Sequence, residues 1–344
     1  MIGNTAVDDP LNAVPAEHRQ TVATALATAF GPKALTGVSP LGGGASGALL
    51  YQATIAGREY VVRLEVRRSP FRNPHQYVCM QTSSDAGIAP PLRFLDADAG
   101  ISVMDCLAKR PLAAYPGGTL ALTRDLGHLI RRLQETSVFP QLRDYRVILE
   151  RLLGVLRRPG FFAPGLLDAH AAAFHKIREA YPWEASAHVS AHNDPNPQNI
   201  LFDGERLWLI DWETAYANDP LTDIAILADN VAPTPELEES LLSAWLGASP
   251  DRAIRARLEL MRQLTRLYYA GLILSMFAGA PRPEPDADLT APTPDSFRAA
   301  IAEGRIAAGS PEMMYTLGKI ALARFLSGVS APDFDEALAI VRHG

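Results

Sequence analysis

Between His192 and Asp223 the chain reads HNDPNPQNILFDGERLWLIDWETAYANDPLTD, and no other stretch constrains the fold as tightly. Asp194 is followed by Asn199 within a proline-broken segment. Two short apolar runs come next, 200–202 and 207–210, separated by Asp203-Gly204, the composition of a tight hairpin turn. Asp211 closes the second run. Two carboxylates and one amide thus stand at the ends of a hairpin, where the backbone is rigid. All three are oxygen donors of the kind a hard cation such as Mg²⁺ takes. Turn or capping roles would explain any one of them alone. Their order, their spacing and the apolar strands between them point to a site.

The rest of the chain predicts where that hairpin sits. Residues 16–30 read as a short helix stopped by Gly31-Pro32. Segments 48–55 and 59–65 are rich in β-branched and aromatic residues and are separated by Ala56-Gly57-Arg58, a hairpin pattern. A helix is expected over 74–87, then strands near 92–95 and 101–105 around a turn at 96–100. From about residue 119 the apolar spacing changes to three and four, predicting helices over 119–135 and 143–157, and the alanine content and length of 166–180 predict a third. Strands return briefly at 187–192, 199–202 and 207–211, and helices then run to the C-terminus, broken by the acidic, proline-rich 281–295. One long helix, 251–278, carries Leu258, Met261, Leu264, Leu267, Tyr268 and Leu272 as a core-facing stripe. The pattern is α+β: a β-rich lobe over 1–107 and a larger, mainly helical lobe over 108–344, linked near 111–118.

Composition excludes several function classes. A net charge of −6 with no basic block gives no concentrated positive field for nucleic acid or an anionic membrane. The longest apolar run, 268–280, is shorter than the ~20 residues of a membrane span. Cys79 and Cys106 form neither a disulfide framework nor a zinc motif, and the first residues carry Asp and Pro where a secretion signal needs a basic start and an apolar run. The expectation is a cytoplasmic protein whose partner is a small molecule, with no nucleic acid and no membrane.

Two more motifs belong with the hairpin. Residues 42–47, GGGASG, satisfy G-x-G-x-x-G, but a strand rather than a helix follows. That context favours a flap whose backbone amides approach phosphates over a dinucleotide fingerprint, and no Walker A Lys-Ser/Thr is present. In the predicted strand 59–65, Val61-Val62-Arg63-Leu64 carries a cation.

Catalytic carboxylate, metal-binding Asn and Asp, glycine flap and strand cation together make a phosphoryl-transfer set. The segment resembles the catalytic and metal-binding loops of the protein-kinase-like superfamily, as found in aminoglycoside phosphotransferases and choline/ethanolamine kinases. The resemblance spans roughly residues 37–230 and implies a two-lobed fold, with a small antiparallel-sheet N-lobe. It also implies transfer of the γ-phosphate of ATP to a hydroxyl of a small, cationic acceptor, such as an amino alcohol or an aminoglycoside. It casts Asp194 as the catalytic base and Asn199 and Asp211 as Mg²⁺ ligands. Gly43, Gly44, Ser46, Gly47 and Arg63 would meet the phosphates, and Met104 and Asp105 the adenine. Glu213, Tyr216 and Asp219 are candidate acceptor contacts, Tyr268 and Tyr269 further aromatic ones, and Asp223 a structural residue.

Three departures stand out. Gly47 replaces the expected Asn of the flap, and Gln134 stands where relatives carry His. The 74–87 helix lacks the Glu that normally pairs with the strand cation, leaving Gln76 or Glu65 as anchors for Arg63. A neutral partner holds a guanidinium less firmly. Three readings follow, in this order: an active kinase, an impaired kinase-like protein that binds nucleotide or ligand, and a nicotinamide-dependent oxidoreductase using the G-x-G-x-x-G string.

Overall fold

The computed structural model describes residues 9–33, 35–42, 48–66, 73–184, 187–279 and 284–343. Helix α1 (Ala16–Phe30) precedes a five-stranded sheet: β1 (Leu35–Pro40), β2 (Ala48–Ile55), β3 (Arg58–Glu65), β4 (Leu92–Asp96) and β5 (Ile101–Asp105). Its order is β1-β2-β3-β5-β4, every neighbour antiparallel. Helix α2 (Gln76–Asp85) crosses between β3 and β4. The β2–β3 turn is two residues, Ala56 and Gly57, with φ of 50° and 75°. Positive φ at both positions matches the twist of the flanking strands, so β3 begins at Arg58 rather than after it.

Period-two alternation decides which way each strand residue faces. Tyr51, Ala53 and Ile55 of β2, Tyr60, Val62 and Leu64 of β3 and Ile101 and Val103 of β5 are buried together under Val22, Ala25 and Leu26 of α1. The alternate positions face the other way. There Arg63 lies opposite Leu50 on one side and Ser102 on the other.

The helical part follows: α3 (Gly118–Gln134), α4 (Tyr145–Leu156), α5 (Asp168–Ala180), α6 (Leu221–Val231), α7 (Pro235–Leu246), α8 (Arg252–Ser275), α9 (Pro294–Ala302), α10 (Pro311–Val329) and α11 (Pro332–His343). Side chains of Asp144, Thr234, Asp251, Thr293 and Ser310 cap five of these helices, accepting from the first-turn amides. Helix α8 is the spine, packed against α4, α6, α10 and α11. Its Leu258, Met261, Leu264, Leu267 and Tyr268 are buried as the stripe predicts, but Leu272 is 39% exposed. The stripe outruns its packing partners.

Two small two-stranded sheets flank the Asp194 and Asp211 segments. Strand β6 (Val189–Ala191) pairs with β9 (Tyr216–Asn218), and β7 (Ile200–Phe202) with β8 (Leu207–Leu209). Cys79, Met80, Ile88 and Ala89, in and after α2, are buried with these strands and the helices in one large core. Both cysteines are free thiols. Among the described residues no helix is long and apolar enough to cross a membrane.

Candidate active site

The segment after β6 is held from beneath by one buried carboxylate. Asp223, in the first turn of α6, accepts the backbone amides of His192 (2.8 Å) and Asn193 (2.7 Å). Burial raises its carboxyl above the ordinary range, while His192 and the two amides oppose that rise. Asn193 takes φ 62°, a left-handed conformation that Asn tolerates better than most residues. Its side chain donates to the Thr214 (3.0 Å) and Tyr216 (3.2 Å) carbonyls and accepts from Asn218 at 2.7 Å. The His192 ring meets the Ile210 carbonyl at 3.0 Å and lies 4.7 Å from the Trp212 ring. These contacts fasten the Asp194 loop to the Asp211 loop, and the sequence had assigned no role to His192 or Asn193.

Asp194 sits partly exposed above this brace. Its Oδ1 accepts from Asn196 at 2.8 Å and from the Tyr269 hydroxyl of α8, and its Oδ2 accepts from Asn199 at 3.0 Å. Burial, and more weakly the Asp211 charge, raise its carboxyl above the ordinary range; the Tyr269 and Asn196 donors pull the other way. The Asn199 amide nitrogen is spent on Asp194, including its backbone carbonyl at 2.9 Å, which turns the amide oxygen away. Asp211 follows β8 with φ 67°, and its exposed carboxylate has no hydrogen-bond or ion-pair partner among the described residues. Strain of this kind at a non-glycine residue costs about 1–3 kcal/mol and persists where surrounding structure enforces it.

Asn199 and Asp211 therefore present one amide oxygen and one free carboxylate close to Asp194. No group of three or more His, Cys, Asp or Glu that could cage a metal exists among the described residues. A sparse oxygen set suits Mg²⁺, which keeps waters and phosphate oxygens as its other ligands.

Arg63 is 7% exposed on the face of β3 turned away from α1 and is bound by Glu213, from the 3-10 turn Trp212–Thr214 that follows Asp211. This corrects both anchors expected from sequence. Gln76 donates instead to Glu65 at 3.1 Å, as does the Tyr77 hydroxyl at 3.2 Å. It also moves Glu213 from a candidate acceptor contact to the partner of the strand cation. Burial and the neighbouring Asp211 raise the Glu213 carboxyl, and Arg63 opposes them. Arg63 Nη1 is buried without a hydrogen-bond partner.

Two further acceptor candidates are placed elsewhere. Asp219 accepts from Tyr181 (2.9 Å), Arg257 (3.1 Å) and the amide of Leu221, the first residue of α6 (2.8 Å), so its charge is already matched. Tyr216 is 2% exposed in β9, with its hydroxyl buried. Met104 is partly buried against the helical core, and the Asp105 carboxylate takes both Arg93 nitrogens at 2.6 Å. The flap residues Gly43, Gly44, Ser46 and Gly47 lie outside the described residues. Gln134, the departure from the expected His, donates to the Pro220 carbonyl and accepts from the Trp245 indole, each at 2.8 Å. It joins α3, α6 and α7.

A family model described as "Phosphotransferase enzyme family" matches residues 37–260. Protein LicA of Haemophilus influenzae is 32% identical over 110 residues, 32% of this chain and 38% of that protein, so the match spans well under half of the relative. Among solved structures, a choline/ethanolamine kinase family protein from Mesorhizobium loti superimposes with TM-score 0.66 at 22% identity, covering 94% of this chain and 99% of the other. Choline kinase LicA from Streptococcus pneumoniae gives 0.62 at 14%, covering 92% and 99%. A spectinomycin phosphotransferase in complex with ADP and spectinomycin gives 0.53 at 13%, covering 94% and 97%. At these identities the likeness establishes the kinase-like fold.

Proposed function

Since this chain belongs to the phosphotransferase enzyme family, we propose that it transfers the γ-phosphate of ATP to a hydroxyl of a small amino alcohol. The observation that carries the reading is the Asp194 carboxylate, partly exposed and oriented by Asn196 and Asn199, beside the unpaired Asp211. In such a site a carboxylate accepts the proton of the attacking hydroxyl as the oxygen–phosphorus bond forms. Asn199 and Asp211 would hold Mg²⁺, which neutralises charge on the transferred phosphoryl group. Arg63 would meet the nucleotide phosphates through the nitrogen that Glu213 leaves unbonded. The stretch at Met104 and Asp105 would lie beside adenine; its Asp105 and Cys106 amides are already bonded to the Pro91 and Glu59 carbonyls and the Asp105 side chain to Arg93.

An amino alcohol is favoured over a neutral sugar by what surrounds Asp194. Glu213 and Asp219 are already neutralised, so a cationic group would find the charge of Asp194 and the partly exposed ring of Tyr269. The relatives named as choline and ethanolamine kinases agree with this reading. The ground for an impaired protein was the missing helix Glu, and Glu213 provides that carboxylate from another element. Incubation with γ-labelled ATP and Mg²⁺ across choline, ethanolamine, aminoglycosides and neutral sugars tests the proposal. Label should enter an amino alcohol; label confined to sugars or to protein serine would overturn it.

A further inference from the structure

Of the three side chains that donate to Asp194 among the described residues, one comes from outside its own loop. Tyr269 reaches in from α8, 75 residues downstream, and shares Oδ1 with Asn196. It lies on one helical face with Leu272 and Met276, which are 39% and 66% exposed, so the ring stands at an open edge of the core. Its hydroxyl is the same chemical group, a neutral O–H, that an acceptor must present to this carboxylate.

We propose that Tyr269 is a latch: its hydroxyl holds the acceptor's place on Asp194, denies that oxygen to water, and is displaced by an incoming acceptor hydroxyl. The proposal rests on the phosphotransferase reading above. In transfer, the acceptor oxygen bonds to the γ-phosphorus, the bond from that phosphorus to the β–γ bridging oxygen breaks, ADP leaves, and the acceptor proton passes to Asp194. In the competing reaction water supplies the oxygen and the proton, and inorganic phosphate leaves with ADP. Tyr269 keeps its own proton in both, because burial and the Asp194 charge hold its phenol well above the usual range.

Phosphate release from Mg²⁺-ATP without acceptor, measured for the parent protein and Tyr269→Phe, tests the latch. Release should rise roughly tenfold, the smaller end of what a hydrogen bond to a charged group is worth as a population. The acceptor KM should fall several-fold without a proportionate change in kcat. A purely structural tyrosine would instead lower turnover and thermal stability together. Adding Asp194→Asn to Tyr269→Phe should remove the extra hydrolysis. An active parent with unchanged release in Tyr269→Phe overturns the latch alone. A parent with neither hydrolysis nor transfer overturns the phosphotransferase reading, and the latch with it.

Discussion

Arg63 of the sheet is bound by Glu213, a residue 150 positions later in the turn that follows Asp211. The pair joins the strand that would hold the phosphates to the loop that would hold the metal. It also means that α2 is not asked for a carboxylate. That helix is tied to the same loop by neutral contacts: Asn73, just before it, donates to the Ala215 carbonyl, and the Cys79 thiol meets that carbonyl at 3.3 Å.

Glu213→Gln replaces a charged partner of Arg63 with a neutral one. Charge-assisted hydrogen bonds are roughly twice as strong as neutral ones, so the KM for ATP should rise about tenfold while the fold is retained. A double-mutant cycle with Arg63→Lys, read by steady-state kinetics, should show the two effects to be non-additive. Additive losses would mean that the pair is incidental.

Asp223→Asn should be more damaging, and in a different way. An amide can accept from only one of the two backbone donors and sets an N–H against the other, leaving a buried donor unsatisfied at about 1–3 kcal/mol. Denaturant unfolding should show that loss, and kcat should fall as the Asp194 loop loosens. Unchanged stability would contradict the role assigned to the brace.

His170 gives a stability signature independent of catalysis. It is fully buried, stacked on Phe325, and burial pushes its pKa from 6.5 down to about 4. The unfolded chain therefore takes up a proton at a pH where the folded protein does not. The stability this neutral His preserves is fully present above pH 6.5 and is lost as pH falls towards 4. The total is roughly 3 kcal/mol. Unfolding curves across that window should flatten in His170→Phe relative to the parent.

Much of this architecture is legible locally. Apolar runs and the Asp203-Gly204 turn give the hairpin that presents Asn199 and Asp211, the Gly31-Pro32 stop gives the end of α1, and apolar spacing gives α3, α4 and α8. Strand β1 is not legible, because Gly37, Ser39 and Pro40 disguise it and only pairing with β2 makes it a strand. Strand β9 is three residues long and exists through β6. The partners of Arg63 and Asp219 escape for the same reason: Glu213, Tyr181 and Arg257 are distant in sequence, and an acidic residue looks available until the cation that neutralises it is in place.

The central claim is that Asp194 is the base of a phosphotransferase, and Asp194→Asn tests it most directly. Calorimetric titration with Mg²⁺-ATP should give an affinity close to that of the parent, because the proposed phosphate contacts lie on Arg63, Asn199 and Asp211. Transfer of label to the acceptor should fall by roughly 10²–10⁴-fold, the usual contribution of a positioned proton acceptor. Turnover that survives this substitution, with binding intact, would contradict the account.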